Sequence, residues 1–135
     1  KVAVPAFPPY RYQDLSVYCG EGEFVNISGL DVLTNPQMII EVLSRTTEAF
    51  DRGDKFDYYK SIPSLTDYVL VATSRPFITH FEKSNDLEWV NRSAEGVEGR
   101  LSLPNFDVEL LLSEVYLDLK FPDPVFRSPE EERFL

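Results

Sequence analysis

Cysteine, histidine and glycine are all scarce in this sequence, and each shortage removes a class of explanation. The one cysteine, Cys19, cannot form an intrachain disulfide and has no second thiol for a zinc or redox pair. The one histidine, His80, leaves no His-rich metal site and no Ser-His-Asp set for the pattern to complete. The six glycines never cluster into a phosphate-cradling loop, and there is no His-Glu-x-x-His pair. Positive charge is short as well, since 13 Lys and Arg face 23 Asp and Glu for a formal net charge of −10. That balance disfavours a broad electrostatic grip on nucleic acid, so any such contact must be local. No apolar run is long enough for a signal sequence or a membrane span. The expectation is one domain with no membrane segment, in a reducing cytoplasm.

What is present suffices for a core: 43% of the residues are hydrophobic and 13% aromatic. The run Pro36-Gln37-Met38-Ile39-Ile40-Glu41-Val42-Leu43-Ser44 reads as a strand buried on both faces, broken by one carboxylate. An ionised Glu41 there costs several kcal/mol by order of magnitude unless a cation or hydrogen bonds compensate it. It is read as functional, with a structural ion pair as the plainer alternative. Tyr10 to Cys19 alternates with period two and reads as one continuous strand, Tyr12, Asp14, Ser16 and Tyr18 on one face, Leu15, Val17 and Cys19 on the other. Cys19 is then expected to be a small buried apolar residue. If this strand pairs with the central one, Asp14 and Glu41 converge.

Residues Val2 to Pro9 suit an edge strand, and Gly20 to Asn35 a solvated hairpin loop whose Glu21, Glu23 and Asp31 are surface charge. Thr46 to Lys60 changes to helical period, with Ser44, Thr46 and Thr47 as capping oxygens and Asp51, Lys55 and Tyr59 as an i, i+4, i+8 ladder. Leu65 to Thr73 is a further strand, so strand, helix and strand make a βαβ unit with a parallel pair. Pro76 to Lys83 and Glu88 to Arg92 form a hairpin, with His80 read as a satisfied surface or half-buried side chain. Leu101–Leu103 and Phe106–Leu112 are short strands, and Ser113 caps a short helix reaching Leu119. Residues 121–135, with their prolines and Glu130-Glu131-Glu132, read as a C-terminal tail after a domain of residues 1–120. The sequence opens at Lys1 already resembling a strand, as a piece of a longer protein would.

The segments Tyr12-Gln13-Asp14-Leu15-Ser16-Val17-Tyr18-Cys19-Gly20, Ile39-Ile40-Glu41-Val42-Leu43-Ser44, Asp51-Arg52-Gly53-Asp54-Lys55-Phe56 with Tyr59, and Tyr68-Val69-Leu70-Val71 come in a telling order. Together they resemble the Uma family of bacterial endonucleases, within the PD-(D/E)XK nuclease superfamily. The resemblance implies an α/β, restriction-endonuclease-like fold with a mixed sheet flanked by helices. It implies metal-dependent hydrolysis of DNA phosphodiester bonds, with Asp14 and Glu41 as ligands of Mg²⁺ or Mn²⁺ and Asp14, Glu41 and Lys55 as the catalytic set. Two positions depart from the superfamily pattern. Gln13 stands where a proline precedes the aspartate, and Leu43 stands where a lysine follows the glutamate by two; Lys55 on the helix is the substitute. The resemblance also implies an upstream region with a helix packed on the sheet, which this sequence does not contain. Cutting both strands of a duplex suggests a homodimer. The rival reading is a catalytically inactive nuclease-like domain acting as a protein-interaction module, to which Leu43 and the missing basic face lend weight. Arg11, Arg45, Arg52 and Lys60 are candidates for a small phosphate-binding patch.

Overall fold

The computed structural model describes residues 1–4, 10–44, 51–85 and 87–121, with the side chains of Tyr10 and Arg11 outside that description. Its centre is a five-stranded mixed sheet ordered β3-β6-β7-β8-β9. These strands are β3 (Leu15–Val17), β6 (Met38–Val42), β7 (Asp67–Val71), β8 (Phe77–Asn85) and β9 (Glu88–Glu95). The helix α1 (Asp54–Lys60) joins β6 to β7, which run parallel with Glu41 opposite Leu70; every other pairing in this sheet is antiparallel. The expected βαβ unit and the β8–β9 hairpin are therefore present.

Strand alternation divides the apolar residues between the two faces of this sheet. Ile39, Leu43, Tyr68 and Leu70 form one core with Phe56, Tyr59, Ile62 and Leu65, all from α1 and the turn after it. Phe56 is the centre of that packing: its ring lies 4.7 Å from Tyr68, 4.6 Å from Phe81 and 5.2 Å from Trp89. Met38, Val69, Ile78 and Ala94 form the second core on the opposite face. It is covered by the hairpin of β10 (Arg100–Leu103) and β11 (Val108–Leu111) and by the one-turn helix α2 (Leu112–Val115). Tyr116 closes this side, its hydroxyl donating to the Ala72 carbonyl at 2.7 Å. The expectation of a sheet flanked by helices is thus met on one face, while a β-hairpin does most of the covering on the other.

A second sheet, ordered β2-β1-β5-β4, is built from β1 (Val2–Ala3), β2 (Tyr10–Arg11), β4 (Phe24–Ile27) and β5 (Leu30–Leu33). Three expectations need correction here. Tyr10 to Cys19 is not one strand: the chain leaves the second sheet after Arg11, turns through Tyr12 to Asp14 and enters the central sheet as β3. Alternation of polar and apolar residues persists across the crossing, so the pattern alone hides it. The stretch Gly20 to Asn35 is not merely a loop, because β4 and β5 pair across a Ser28-Gly29 turn at φ 52° and 83°. Cys19 is exposed, since β3 ends at Val17 and the chain is already turning away from the sheet.

Two further differences concern caps. The α2 N-cap is Leu111 with no side-chain cap bond, so Ser113 lies inside the helix rather than at its start. The proposed caps Thr46 and Thr47, Arg45 and the tail beyond Phe121 fall outside the described residues.

Candidate functional site

β3 and β6 are antiparallel neighbours in the register Leu15 to Ile40, Ser16 to Ile39 and Val17 to Met38. One further step along that register brings Asp14 opposite Glu41. The ladder stops there because Asp14 takes over with its side chain: its Oδ2 accepts a hydrogen bond from the Val42 backbone N–H at 2.7 Å. That bond fixes the carboxylate beside the strand while Asp14 itself stays exposed to water. Its other oxygen, Oδ1, takes no hydrogen bond from the described residues.

Glu41 points to the face covered by α1 and is 2% exposed. Burial raises the pKa of its carboxyl from the ordinary 4.5 to about 7; the charge of Asp14 adds to the rise, and hydrogen bonds from Lys55 and Tyr59 oppose it. Both donors meet the same oxygen. Lys55 Nζ lies 3.0 Å from Oε1, and the Tyr59 hydroxyl donates to Oε1 at 3.1 Å. Neither bond uses Oε2. The ammonium also lies 3.3 Å from Asp51 Oδ1, and the Lys55 side chain is only 14% exposed. Lys55 is therefore an inward-facing cation shared by two buried carboxylates, not the solvated surface lysine that its helix position allows.

The helix brings these groups together by its period. Asp51 and Lys55 are one turn apart and Tyr59 one turn further, so the ladder read from the sequence faces the sheet. Phe56, adjacent to Lys55, anchors the turn in the aromatic core. The segment is not one regular helix: Asp51 and Arg52 are helical, Gly53 is a turn, and α1 begins at Asp54. Tyr68 on β7 ties the earlier turn down by donating its hydroxyl to the Asp51 carbonyl at 2.8 Å. Burial, with the charges of Glu41 and Asp51, pushes that phenol's pKa up, so Tyr68 remains a donor.

Asp14 and Glu41 could hold a metal ion together. The donor set is all oxygen, one carboxylate is open to water, and each has an oxygen outside the bonds just described. This suits Mg²⁺, which keeps several waters and needs only one or two carboxylates, or Mn²⁺. Among the described residues no group of three or more His, Cys, Asp or Glu is arranged to hold a metal. Of the proposed phosphate patch, Arg52 lies 3.4 Å from the Thr79 hydroxyl, and Lys60 pairs with Asp57 at 3.6 Å over the Phe56 ring. The Arg11 side chain and Arg45 lie outside the description. Leu43, in place of a lysine, is buried in the core.

That Tyr59 donates to Glu41 and that Asp51 is buried went unread in the sequence, although the i, i+4, i+8 spacing with Lys55 was the signal that could have found both. His80 is a correction of a different kind. It is fully buried on the opposite face, with Nε2 2.6 Å from Asp67 Oδ2. Burial opposes the charge on Asp67, but bonds from His80, Thr66 and Asn105 outweigh it and hold its carboxyl below the ordinary value. This pair braces the sheet against the Pro104–Phe106 turn and has no access to the Glu41 side.

Among the described residues no helix is long and apolar enough to cross a membrane. Two curated proteins of Synechocystis, both named as uncharacterised, are similar to this chain. One (sll1609) is 37% identical over 81 residues, 60% of this chain and 45% of the relative. The other (slr1290) is 31% identical over 121 residues, 90% of this chain and 62% of the relative. The chain thus spans about half to three-fifths of the length of these relatives. A family model matches residues 5–113, a span that contains Asp14, Glu41, Asp51, Lys55 and Tyr59, and the chain belongs to that family, Uma2, described as "Putative restriction endonuclease".

Proposed function

We propose that this chain carries the active centre of a Mg²⁺-dependent endonuclease acting on DNA, with a restriction-endonuclease-like arrangement of sheet and helix. The observation that carries the reading is the Lys55 ammonium, held 3.0 Å from Glu41, with Asp14 one register step beyond Leu15 and Ile40 on the neighbouring strand. Family membership supports the same chemistry. Asp14 and Glu41 would hold Mg²⁺ or Mn²⁺, which supplies positive charge to the scissile phosphate and makes an attacking water more acidic.

The chain's own residues do the rest. The Val42 N–H orients Asp14, and Tyr59 and Lys55 occupy one oxygen of Glu41, leaving the other for the ion. Lys55 contributes a fixed cation near the reacting phosphate, stabilising the charge that develops on it. On this reading Lys55, reaching Glu41 from the helix, substitutes for the lysine that Leu43 replaces.

Calorimetric titration with Mn²⁺, paired with cleavage of supercoiled plasmid in Mg²⁺, tests this. The expected result is metal binding and nicking in the native chain, with both lost in Glu41→Gln. A chain that binds no metal and leaves plasmid intact refutes the proposal. The rival, a protein-interaction module, draws on one observation: the face opposite Glu41 bears an apolar groove of about 570 Å³ lined by Leu15, Ile40, Val42, Val71 and Leu119. Such a module has no need of the metal, so the same titration separates the two.

A further inference from the structure

Lys55 sits between two carboxylates, and the two are not equivalent once a metal is present. A divalent ion held by Glu41 would neutralise that carboxylate and repel the neighbouring ammonium, favouring the lysine swinging out along its flexible stem. Asp51 is placed to prevent this. Its carboxylate is 4% exposed, lies 3.3 Å from Nζ and faces Lys55 from one helical turn earlier. Its position is itself fixed, because the buried Tyr68 hydroxyl binds the Asp51 carbonyl at 2.8 Å and so ties that turn to the centre of the sheet. A buried carboxylate is costly to keep unless it holds a cation, and the ion pair of Asp51 is with Lys55.

We infer that Asp51 is a positioning residue for Lys55, retaining its ammonium in the cleft when Glu41 is engaged by the metal. The catalytic part of this inference rests on the nuclease reading above; the positioning part rests only on a metal at Glu41. Asp51 touches neither substrate nor the reacting phosphate and acts only through Lys55. Its effect must therefore vanish when the lysine is gone.

The experiment uses the full chain as Asp51→Asn, Asp51→Glu, Lys55→Met and the Asp51→Asn/Lys55→Met double variant. In saturating Mg²⁺, where Glu41 would be engaged by the metal and no longer hold the ammonium, ¹⁵N-detected NMR of the lysine ammonium groups reads whether Asp51 keeps Lys55 in place. A slowly exchanging Lys55 signal is expected in the native chain, lost in Asp51→Asn and regained in Asp51→Glu. Plasmid cleavage in Mg²⁺ supplies the second reading. Asp51→Asn should lower turnover by about tenfold, Asp51→Glu should restore part of it, and Asp51→Asn should add nothing in the Lys55→Met background. A purely structural role predicts the same further loss in both backgrounds, and that result overturns the inference. So does an undiminished Lys55 signal in Asp51→Asn. If the native chain cleaves nothing, the nuclease reading fails alone, and the ammonium signal still decides what Asp51 does.

Discussion

At the scale of single residues, Glu41 and Lys55 carry the largest consequences. Lys55→Ala should reduce nuclease turnover by about a hundredfold while leaving the fold in place, the size expected for losing one positioned catalytic group. Unchanged turnover, beside an inactive Glu41→Gln control, would show that the lysine is not part of the centre. Glu41 also makes the metal-free protein sensitive to pH, and the sign follows from its raised pKa. Below pH 4.5 the carboxyl is protonated in both folded and unfolded chains. As pH rises towards 7 the unfolded chain ionises while the buried Glu41 retains its proton, so stability declines across that window and levels off above it. The loss is of the order of 3 kcal/mol. Denaturant unfolding at pH 5 and pH 7.5 should show it in the native chain and not in Glu41→Gln; parallel curves would mean that Glu41 ionises normally. Glu41 was legible in the sequence because a lone carboxylate in an apolar strand is conspicuous. His80 was not, because its partner Asp67 lies 13 positions away and only strand pairing brings them together.

At the scale of elements, α1 is the part on which the site depends. Its seven residues are too few to hold a helix by themselves, so packing through Phe56 and Tyr59 maintains it. Phe56→Ala removes a ring stacked against Tyr68 and in contact with Phe81 and Trp89, and should cost about 3 to 5 kcal/mol. It should also release Lys55 from Glu41, so activity should fall further than the folded fraction does. Thermal melting and specific activity measured on the same preparation check this, and a stable variant with full activity would contradict it. The boundaries of such elements were harder to read than their existence. The strand from Tyr10 appeared continuous because alternation says which face a residue takes and nothing about which sheet it joins. Likewise, the acids and glycines of Gly20 to Asn35 masked a hairpin whose strands are mostly solvent-exposed.

At the scale of the whole molecule, the net charge of −10 sets the terms of any DNA contact. Among the described residues few cations lie near Glu41, and Lys55 is already paired, so few phosphates are expected to be neutralised. The DNA-binding constant, measured without divalent metal so that no cleavage intervenes, should then fall with salt at a logarithmic slope no steeper than about −4. A slope near −8, measured by fluorescence anisotropy, would require a basic surface beyond the cleft. We expect a homodimer, because a duplex cut on both strands calls for two centres. Sedimentation showing only monomer at micromolar concentration would count against it.

The sequence by itself determined the central strand and its odd carboxylate, the βαβ unit, the β8–β9 hairpin and the candidate trio of Asp14, Glu41 and Lys55. The strands and Glu41 follow from periodicity and from a residue type that is costly where it stands, properties carried by short windows of chain, whereas Asp14 and Lys55 join Glu41 as a trio through the resemblance to the Uma family. Only the tertiary structure decided that Lys55 turns inward between Glu41 and Asp51 and that Tyr59 donates to the same oxygen of Glu41. It also decided that Asp14 is held by a backbone amide 28 residues away and that His80 is locked in the opposite core. Apart from the Asp51–Lys55 pair, which is one helical turn apart, each of these is a contact between segments distant in sequence, and all depend on burial, which local pattern does not specify.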